Sequence, residues 1–328
     1  MNYKNILISR IDAIGDVTLT LPLCGYLKSV FPESKIFFLG GSYTESVIKT
    51  SSAVDHFINY NELRVLSEKE QISILKDKSI DLCIHVFPNK HISRIAKKSH
   101  IPVRIGTSHR WFHWLTCNNL VNLGRNKSNL HESELNLRLL KGIGITEFPP
   151  LDKIHQYYKF TNTVDVPENI LAKLSKEKFN LILHPKSHGS GREWSLIRYK
   201  ELIDILPDDK FNILISGSEK EKHLLKDWIH SIEKPVIDIS GLMSLEQLIA
   251  FINKSDGLIA CSTGPLHLAA ALGIHTLGLY PNIRPIHAGR WGPVGTKAEY
   301  IESENAELNT ISAFQVYQKI GGWVKNSC

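Results

Sequence analysis

The sequence has no apolar run that approaches the ~20 residues needed to cross a bilayer. It also shows no signal-peptide pattern, because residues 1–5 lead straight into a predicted strand. Its cysteines are odd in number, widely spaced and without a CxxC pair, which argues against a disulfide framework or a structural zinc site. We therefore expect a cytoplasmic protein in a reducing compartment. The cysteines are Cys24, Cys83, Cys117, Cys261 and Cys328.

A strong excess of one charge is absent as well. The net charge of +6 is mild, so it does not by itself imply a nucleic-acid partner, and none is expected. Hydrophobic content of 42% and charged content of 22% are typical of a soluble globular protein and exclude a disordered or fibrous chain. Residues 90–114 concentrate basic and aromatic side chains. That stretch either meets an anionic lipid surface or a phosphorylated acceptor, or it is a solvated helix followed by a core aromatic cluster.

The chain contains neither a G-x-G-x-x-G motif nor a Walker lysine loop, yet its pattern is that of an α/β protein. Short apolar runs alternate with amphipathic segments in both halves, which predicts two parallel, doubly wound sheets. A proline-containing stretch without long periodicity, residues 146–177, separates the halves. We predict domains over residues 1–160 and 161–328. The last helix, about 311–324, is expected to pack back across the first domain.

The most informative segment is residues 262–273, which lies between two apolar runs. This order predicts a strand, a tight turn, a helix and a second strand. The residues at the entrance of this helix are small or hydroxylated and leave its first N–H groups uncovered. They are Ser262, Thr263, Gly264 and Pro265. The uncovered N–H groups and the helix dipole favour a phosphate or diphosphate. An ordinary helix cap in front of an alanine-rich packing face is the alternative.

A second polar loop, residues 10–22, follows the predicted first strand and places Gly15 and Asp16 at its carboxyl end. Ligands of open α/β sheets bind at that end. Together with residues 262–273, this loop resembles the ADP-heptose glycosyltransferase family (family 9), the heptosyltransferases of lipopolysaccharide core assembly. The resemblance covers most of the chain. Further matching pieces keep the family's order: residues 81–85, 104–106, 131–140, 184–187, 192–194 and 241–245.

The resemblance implies two facing Rossmann-like domains of the GT-B type with a cleft between them. The first domain would take the acceptor and the second the nucleotide-sugar donor. The implied reaction is an inverting, metal-independent transfer of heptose from ADP-heptose to a lipid-linked saccharide of the lipopolysaccharide core. No cofactor is expected. The enzyme would lie at the cytoplasmic face of the inner membrane, in peripheral contact with anionic lipid.

Glycosyl transfer needs a base for the attacking hydroxyl group and stabilisation of the departing diphosphate. The family's matching aspartate makes Asp16 the candidate base, with Asp12 as a weaker candidate in the same loop. As an alternative, Asp16 is the N-cap of the following helix. The diphosphate would lie against residues 263–265, and the loop with Lys186, Ser187 and Arg192 suits it because it carries two cations. A solvated surface loop is the alternative there.

Three more residues are candidates for the donor site. His267 lies one helical turn after Thr263 and either faces the ligand or packs in the helix interface. The resemblance aligns Glu221 with a ribose-binding glutamate. It aligns Met243 with a segment that lies beside the adenine, mainly through backbone atoms. Ser244, next to Met243, also fits an N-cap.

The chain departs from the family at Ser262, where the family often carries an aspartate. A neutral serine removes a charge that could contact the donor sugar, so the transferred sugar is open. A related transferase that uses another nucleotide sugar or acceptor is therefore an alternative. A non-catalytic, two-lobed sugar-binding protein is a second alternative, although that class usually works outside the cytoplasm.

Overall fold

The structure is a computed structural model that describes residues 3–125, 128–161, 163–187, 189 and 191–325. Two residues of the loop after the first apolar run of the second half, His188 and Ser190, lie outside the described residues, as does Cys328. The chain forms two compact units, Met1–Asn162 and Thr163–Cys328. The observed division lies two residues beyond the boundary that the sequence predicts.

The first unit is built on a parallel sheet of six strands in the order β3-β2-β1-β4-β5-β6. Its central strand carries Ile6, Leu7 and Ile8, which are fully buried because helices cover both faces of the sheet. Two neighbours flank this strand in parallel register, so that Ser9 pairs with Leu39 on one side and with His85 on the other. The strands are β1 (Asn5–Ser9), β2 (Lys35–Gly40), β3 (His56–Asn59), β4 (Leu82–His85), β5 (Val103–Thr107) and β6 (Asn119–Val121).

Several helices of the first unit begin at polar residues that cap them, and they bury one apolar face. Asn89, for example, caps a helix by accepting a hydrogen bond from Ile92 N at 3.0 Å, and that helix buries Ile92, Ile95 and Ala96. The helices are α1 (Ile14–Thr18), α2 (Leu21–Val30), α3 (Glu45–Thr50), α4 (Tyr60–Leu63), α5 (Glu68–Asp77), α6 (Lys90–Lys98), α7 (Trp111–Thr116) and α8 (Glu132–Arg138). Short 3₁₀ segments lie at Ser42–Thr44, Leu139–Ile143 and Leu151–Tyr157.

The second unit repeats the same strand path, in the order β12-β11-β10-β7-β8-β9, again with all strands parallel. In each unit the chain runs outward from the first strand and then crosses to its other side at the fourth. This strand order makes a switch point between the first and fourth strands, where open α/β sheets bind ligands. The strands are β7 (Phe179–His184), β8 (Phe211–Ile215), β9 (Ile237–Asp238), β10 (Gly257–Cys261), β11 (His275–Tyr280) and β12 (Ala298–Glu302).

One helix of the second unit, residues 264–272, ends at Gly273, whose φ of +81° is a left-handed conformation that glycine adopts without strain. The helices are α9 (Glu168–Leu171), α10 (Leu196–Ile205), α11 (Glu219–His230), α12 (Leu245–Lys254), α13 (Gly264–Leu272), α14 (Ala288–Trp291) and α15 (Ala313–Lys325). A 3₁₀ segment lies at Leu308–Thr310.

The last helix, α15, buries one apolar face in its own unit. Its side chains Val316, Ile320 and Trp323 are buried in the core of the second unit, together with Phe179 of β7. The Trp323 ring stacks on His275 with centroids 5.1 Å apart. The expectation that this helix also packs back across the first domain stays a prediction.

Candidate active site

Loops from two neighbouring strands come together at the switch point of the second unit. The loop after β7 approaches the turn after β10 so closely that a Cβ atom on Gly191 would lie 3.2 Å from the carbonyl oxygen of Ser262. Further along the same loop, Trp194 N donates a hydrogen bond to Cys261 Sγ at 3.2 Å. The residues that the sequence assigns to diphosphate binding therefore lie on two loops that meet at one edge of the sheet.

The turn after β10 leads into α13 without a side-chain cap. Thr263 occupies the N-cap position, but its side chain makes no cap hydrogen bond. Its Oγ1 atom is buried, on a residue only 4% exposed, and has no hydrogen-bond partner in the structure. Gly264 and Pro265 open the helix, so nothing bulky covers its first turn. An uncapped helix entrance with an unpartnered buried hydroxyl group fits a bound anion.

Two neighbours of this turn are arranged differently. His267 is buried, and its backbone N donates to Thr263 O at 3.4 Å. The side chain of Ser262 forms a hydrogen bond with the hydroxyl group of Tyr280. Burial raises the pKa of that hydroxyl group well above its usual range. That hydroxyl also donates to Trp291 O at 2.5 Å. Ser262 thus belongs to a network of neutral groups and contributes no charge.

Lys186 and Ser187 are held in place by Glu193, a residue to which the sequence analysis gave no role. The carboxylate of Glu193 accepts from Lys186 Nζ at 2.6 Å through one oxygen, and from Ser187 N at 2.8 Å and Oγ at 3.1 Å through the other. Burial raises the pKa of Glu193, but these hydrogen bonds outweigh it and hold the pKa below its usual range. The ionised carboxylate therefore fixes the lysine beside the loop.

Arg192 points elsewhere. Its Nη1 atom donates to the carbonyl oxygen of Ala306 at 2.6 Å and lies 3.8 Å from the carboxylate of Glu307. The guanidinium of Arg192 is thus held by the segment after β12, whereas Lys186 is held by Glu193 within its own loop. The diphosphate role of both residues stays a prediction.

Glu221 and Met243 lie at the entrances of α11 and α12. Glu221 is buried, and its Oε2 accepts from Ser218 N at 2.7 Å and Oγ at 2.9 Å in a capping box. Met243 is half-buried, directly before Ser244, which caps α12 in a second capping box with Gln247. The N-cap interpretation of Ser244 is therefore correct. The ribose role of Glu221 and the adenine role of Met243 stay predictions.

At the switch point of the first unit, Asp16 belongs to a buried network of charges centred on Arg10. The helix cap is Ala13, which makes no side-chain hydrogen bond, and Asp16 lies in the first turn of α1. The N-cap interpretation of Asp16 is therefore wrong, because its carboxylate forms an ion pair with Arg10 Nη2 instead. Arg10 also contacts Asp12 at 2.8 Å through Nε and Glu132 at 3.0 Å through Nη1.

This environment changes the acidity of Asp16. Burial raises its pKa to about 6, and the negative charges of Asp12 and Glu132 act in the same direction, while the positive charge of Arg10 opposes them. A carboxylate with a pKa near 6 is ionised at neutral pH but more basic than an ordinary aspartate. That is the property required of a general base.

Glu132 is the second residue that the sequence analysis left without a role. It is 1% exposed and is shared between Arg10 and Arg125, both of which form ion pairs with its Oε1. Asn136, one turn later on α8, accepts from Arg10 Nη1 at 3.3 Å and from Arg125 Nη2 at 3.1 Å. The start of α8 therefore fixes the orientation of Arg10, and through it that of Asp16.

Two absences concern the described part of the chain alone. No group of three or more histidine, cysteine, aspartate or glutamate side chains in it is placed to hold a metal ion. None of its helices combines the length and apolar character that spanning a bilayer requires.

The chain belongs to glycosyltransferase family 9 (heptosyltransferase), whose family model matches residues 151–320. It is an enzyme of the glycosyltransferase class that acts with a nucleotide-sugar donor and a saccharide acceptor.

Similar proteins support this assignment along nearly the whole chain. A Haemophilus influenzae protein described no further than as a glycosyltransferase is 28% identical over 98% of this chain and 97% of its own. The lipopolysaccharide core heptosyltransferase OpsX of the same organism is 22% identical over 93% and 86%. The lipopolysaccharide heptosyltransferase 1 of Campylobacter coli is 25% identical over 85% of each chain.

Solved structures support the fold. The family 9 glycosyl transferase from Veillonella parvula has a TM-score of 0.81 at 19% identity and covers 99% of this chain and 98% of its own. Escherichia coli heptosyltransferase WaaC with ADP has a TM-score of 0.76 at 19% identity, covering 97% and 99%. The two Rossmann-like α/β sheets are thus those of the GT-B heptosyltransferases.

Proposed function

We propose that this enzyme transfers heptose from ADP-heptose to a saccharide of the lipopolysaccharide core, with inversion at the anomeric carbon. The observation that carries the donor half is the unpartnered, buried hydroxyl group of Thr263 at the uncapped entrance of α13, next to the loop of Lys186. The names of the relatives support the acceptor half, since OpsX and the Campylobacter coli protein act on lipopolysaccharide.

The donor would bind through its diphosphate. Backbone N–H groups at the start of α13 and the hydroxyl group of Thr263 donate to its oxygens, and Lys186 supplies a positive charge. Glu193 keeps Lys186 and Ser187 in position. Glu221 then contacts the ribose, and the segment of Met243 lies beside the adenine. His267 and Ser262 lie on the side of the diphosphate nearer the transferred sugar.

The acceptor is activated by Asp16. Its ionised carboxylate takes the proton of the attacking hydroxyl group, and the acceptor oxygen forms a bond to the anomeric carbon of the heptose. The bond from that carbon to the diphosphate breaks on the opposite face, and ADP leaves with the electron pair. The hydrogen-bond donors of the second unit and the charge of Lys186 stabilise the negative charge that develops on the leaving diphosphate.

Ser262 favours a second candidate, the same reaction with a different nucleotide sugar. A serine has no carboxylate that could contact a donor sugar, and the hydroxyl group of Ser262 is engaged with Tyr280. A donor whose sugar hydroxyl groups need no charged partner would fit this arrangement.

A donor panel tests both candidates. The purified chain is incubated with a deacylated core saccharide and, in separate reactions, ADP-heptose, ADP-glucose, UDP-glucose or GDP-mannose; nucleotide release and product mass are measured. We expect ADP-heptose to react fastest and the product to gain one heptose. Faster reaction of another donor would replace the first candidate by the second. Binding of a donor without transfer to any acceptor would indicate a sugar-binding protein instead.

A further inference from the structure

Helix α7 presents an apolar face to solvent. Trp111, Trp114 and Leu115 are 63%, 63% and 62% exposed, and their spacing places them on one side of the helix. The opposite side is buried through His113 and Thr116. We call the three exposed side chains the α7 face. The helix follows β5, and the Nδ1 atom of its buried His113 lies 3.1 Å from the carbonyl oxygen of Thr107 in that strand.

Cations surround this face. Lys90 Nζ lies 4.9 Å from the ring centroid of Trp111, and Lys97 Nζ donates to the carbonyl oxygen of Leu115 at 2.8 Å. Arg110 is exposed immediately before the helix. The two lysines therefore lie at the rim of the α7 face, and Arg110 adjoins the face in the sequence.

The local charge is not balanced by acids in this part of the sequence. Residues 82–131 contain eight lysines and arginines and no aspartate or glutamate. Two other cations of the same helix as Lys90 are paired with a residue of α5, because Arg94 and Lys98 share the carboxylate of Glu68. The rim cations Lys90, Lys97 and Arg110 are therefore the ones that lie next to exposed apolar groups.

We propose that the α7 face and its three rim cations dock on an anionic lipid surface. Tryptophan is favoured at the headgroup level of bilayers, where its ring is partly buried and its N–H remains hydrated, and lysine and arginine reach lipid phosphates from the same depth. Three side chains are far fewer than the roughly 20 residues per partner of a stable protein interface, which favours a lipid over a protein. The inference rests on the proposed function in that the acceptor is lipid-linked.

The experiment is sedimentation of the full chain with vesicles of phosphatidylcholine containing 30% phosphatidylglycerol, compared with pure phosphatidylcholine, at low and high salt. One variant carries Trp111→Ser, Trp114→Ser and Leu115→Ser. A matched control removes three exposed apolar side chains elsewhere: Val65→Ser, Ile197→Ser and Leu224→Ser.

A second pair of variants tests the charges. Lys90→Gln, Lys97→Gln and Arg110→Gln are combined, and their control makes the same change in net charge at exposed sites elsewhere. The control substitutions are Lys176→Gln, Lys178→Gln and Lys226→Gln.

We expect the parent to bind anionic vesicles more tightly than neutral ones. The serine variant should lose at least about tenfold in affinity for anionic vesicles, since it lacks the inserted groups. The rim variant should lose about tenfold at low salt and less at high salt, because salt screens the charges. Both controls should bind like the parent.

Three outcomes would overturn the proposal: binding of the serine variant that equals that of the parent, equal losses in the controls, or a parent dimer that the serine substitutions dissociate. The last result would assign the α7 face to a second copy of the chain. Vesicle binding needs no donor and no transfer, so its failure is distinct from failure of the proposed reaction. Conversely, both variants should transfer sugar to a deacylated, soluble acceptor at the parent rate.

Discussion

A carboxylate can take a proton from an acceptor only when it is itself ionised, and burial raises the pKa of Asp16 to about 6. We therefore expect kcat/KM to fall as the pH drops below about 6. The negative charge of Glu132 raises this pKa, so Glu132→Gln should lower it and move the acid limb of the pH profile to lower pH. The measurement is kcat/KM between pH 4.5 and 8.

The matched control is Glu134→Gln, which removes the same charge from the same helix. Glu134 accepts from His131 N at 2.9 Å and is not among the groups that shift the pKa of Asp16. Its acid limb should coincide with that of the parent. An acid limb that stays in place or moves to higher pH in Glu132→Gln would contradict the assignment of Glu132 as a positioning residue.

The hydroxyl group of Thr263 offers a test at the donor site, because it is buried without a partner. Thr263→Val replaces it with a methyl group of similar size. We expect ADP affinity to fall about fivefold, the equivalent of roughly 1 kcal/mol for one lost hydrogen bond. Stability should be unchanged or higher, since an unpartnered buried hydroxyl group is unfavourable. Calorimetry and urea unfolding measure the two effects.

Thr276→Val is the control for that substitution. Thr276 is also buried, but its Oγ1 donates to Ile274 O at 3.0 Å. This variant should lose about 1 kcal/mol of stability and keep the ADP affinity of the parent. If Thr263→Val instead lowered stability and left ADP affinity unchanged, the hydroxyl group would have a structural role.

Sequence patterns predicted some site residues and not others for a physical reason. Ser244 and Thr263 stand directly before helices, so the local sequence pattern indicates their positions. Glu132 acts through a partner that chain folding brings to it, since it meets Arg10 across 122 positions of sequence. From the sequence, such a buried glutamate cannot be distinguished from an exposed one on a helix. Glu193 contacts Lys186 and Ser187 within its own loop, but the irregular conformation of that loop has no periodic pattern that would indicate the contact.

At the scale of elements, the close approach of α2 to the segment Leu151–Tyr157 depends on Gly25. A Cβ atom there would lie 2.0 Å from the carbonyl oxygen of Tyr157. We expect Gly25→Ala to destabilise the first unit by about 2 kcal/mol or more, because backbone must shift to relieve the clash. Urea unfolding followed by circular dichroism measures this.

Gly322→Ala is the matched control, a glycine inside α15 with no atom within 4 Å of the added methyl group. It should stabilise the protein by about 0.5–1 kcal/mol, because alanine has the higher helix propensity. Equal stability of the parent and Gly25→Ala would show that α2 and the 3₁₀ segment can separate without cost.

The sequence pattern is weakest for two short strands at sheet edges. The strands β6 and β12 are each paired on one side only, and β12 contains two glutamates and no buried residue. The helix α8 that begins at Glu132 ends at Arg138, and the chain continues as the 3₁₀ segment Leu139–Ile143. Buried central strands such as β1 and β7 were predicted because continuous apolar runs specify them.

At the scale of the whole molecule, the two units share one strand order but carry different chemistry at their switch points. Under the proposed function, the donor binds to the second unit. Adding ADP should therefore slow amide hydrogen exchange in residues 262–267 and leave residues 10–18 unchanged. Hydrogen exchange read by mass spectrometry checks this, with Thr263→Val as the weakened control. Protection confined to the first unit would reverse the assignment of the units.

The most direct test of the account compares Asp16→Asn with the parent and with the exposed control Asp209→Asn. Transfer and ADP affinity are measured on the same preparations. The account predicts that Asp16→Asn loses about 10²- to 10⁴-fold in transfer rate, because the base is gone, while its ADP affinity stays within a few fold of the parent. Asp209→Asn should match the parent in both. Near-parental transfer by Asp16→Asn would contradict the account.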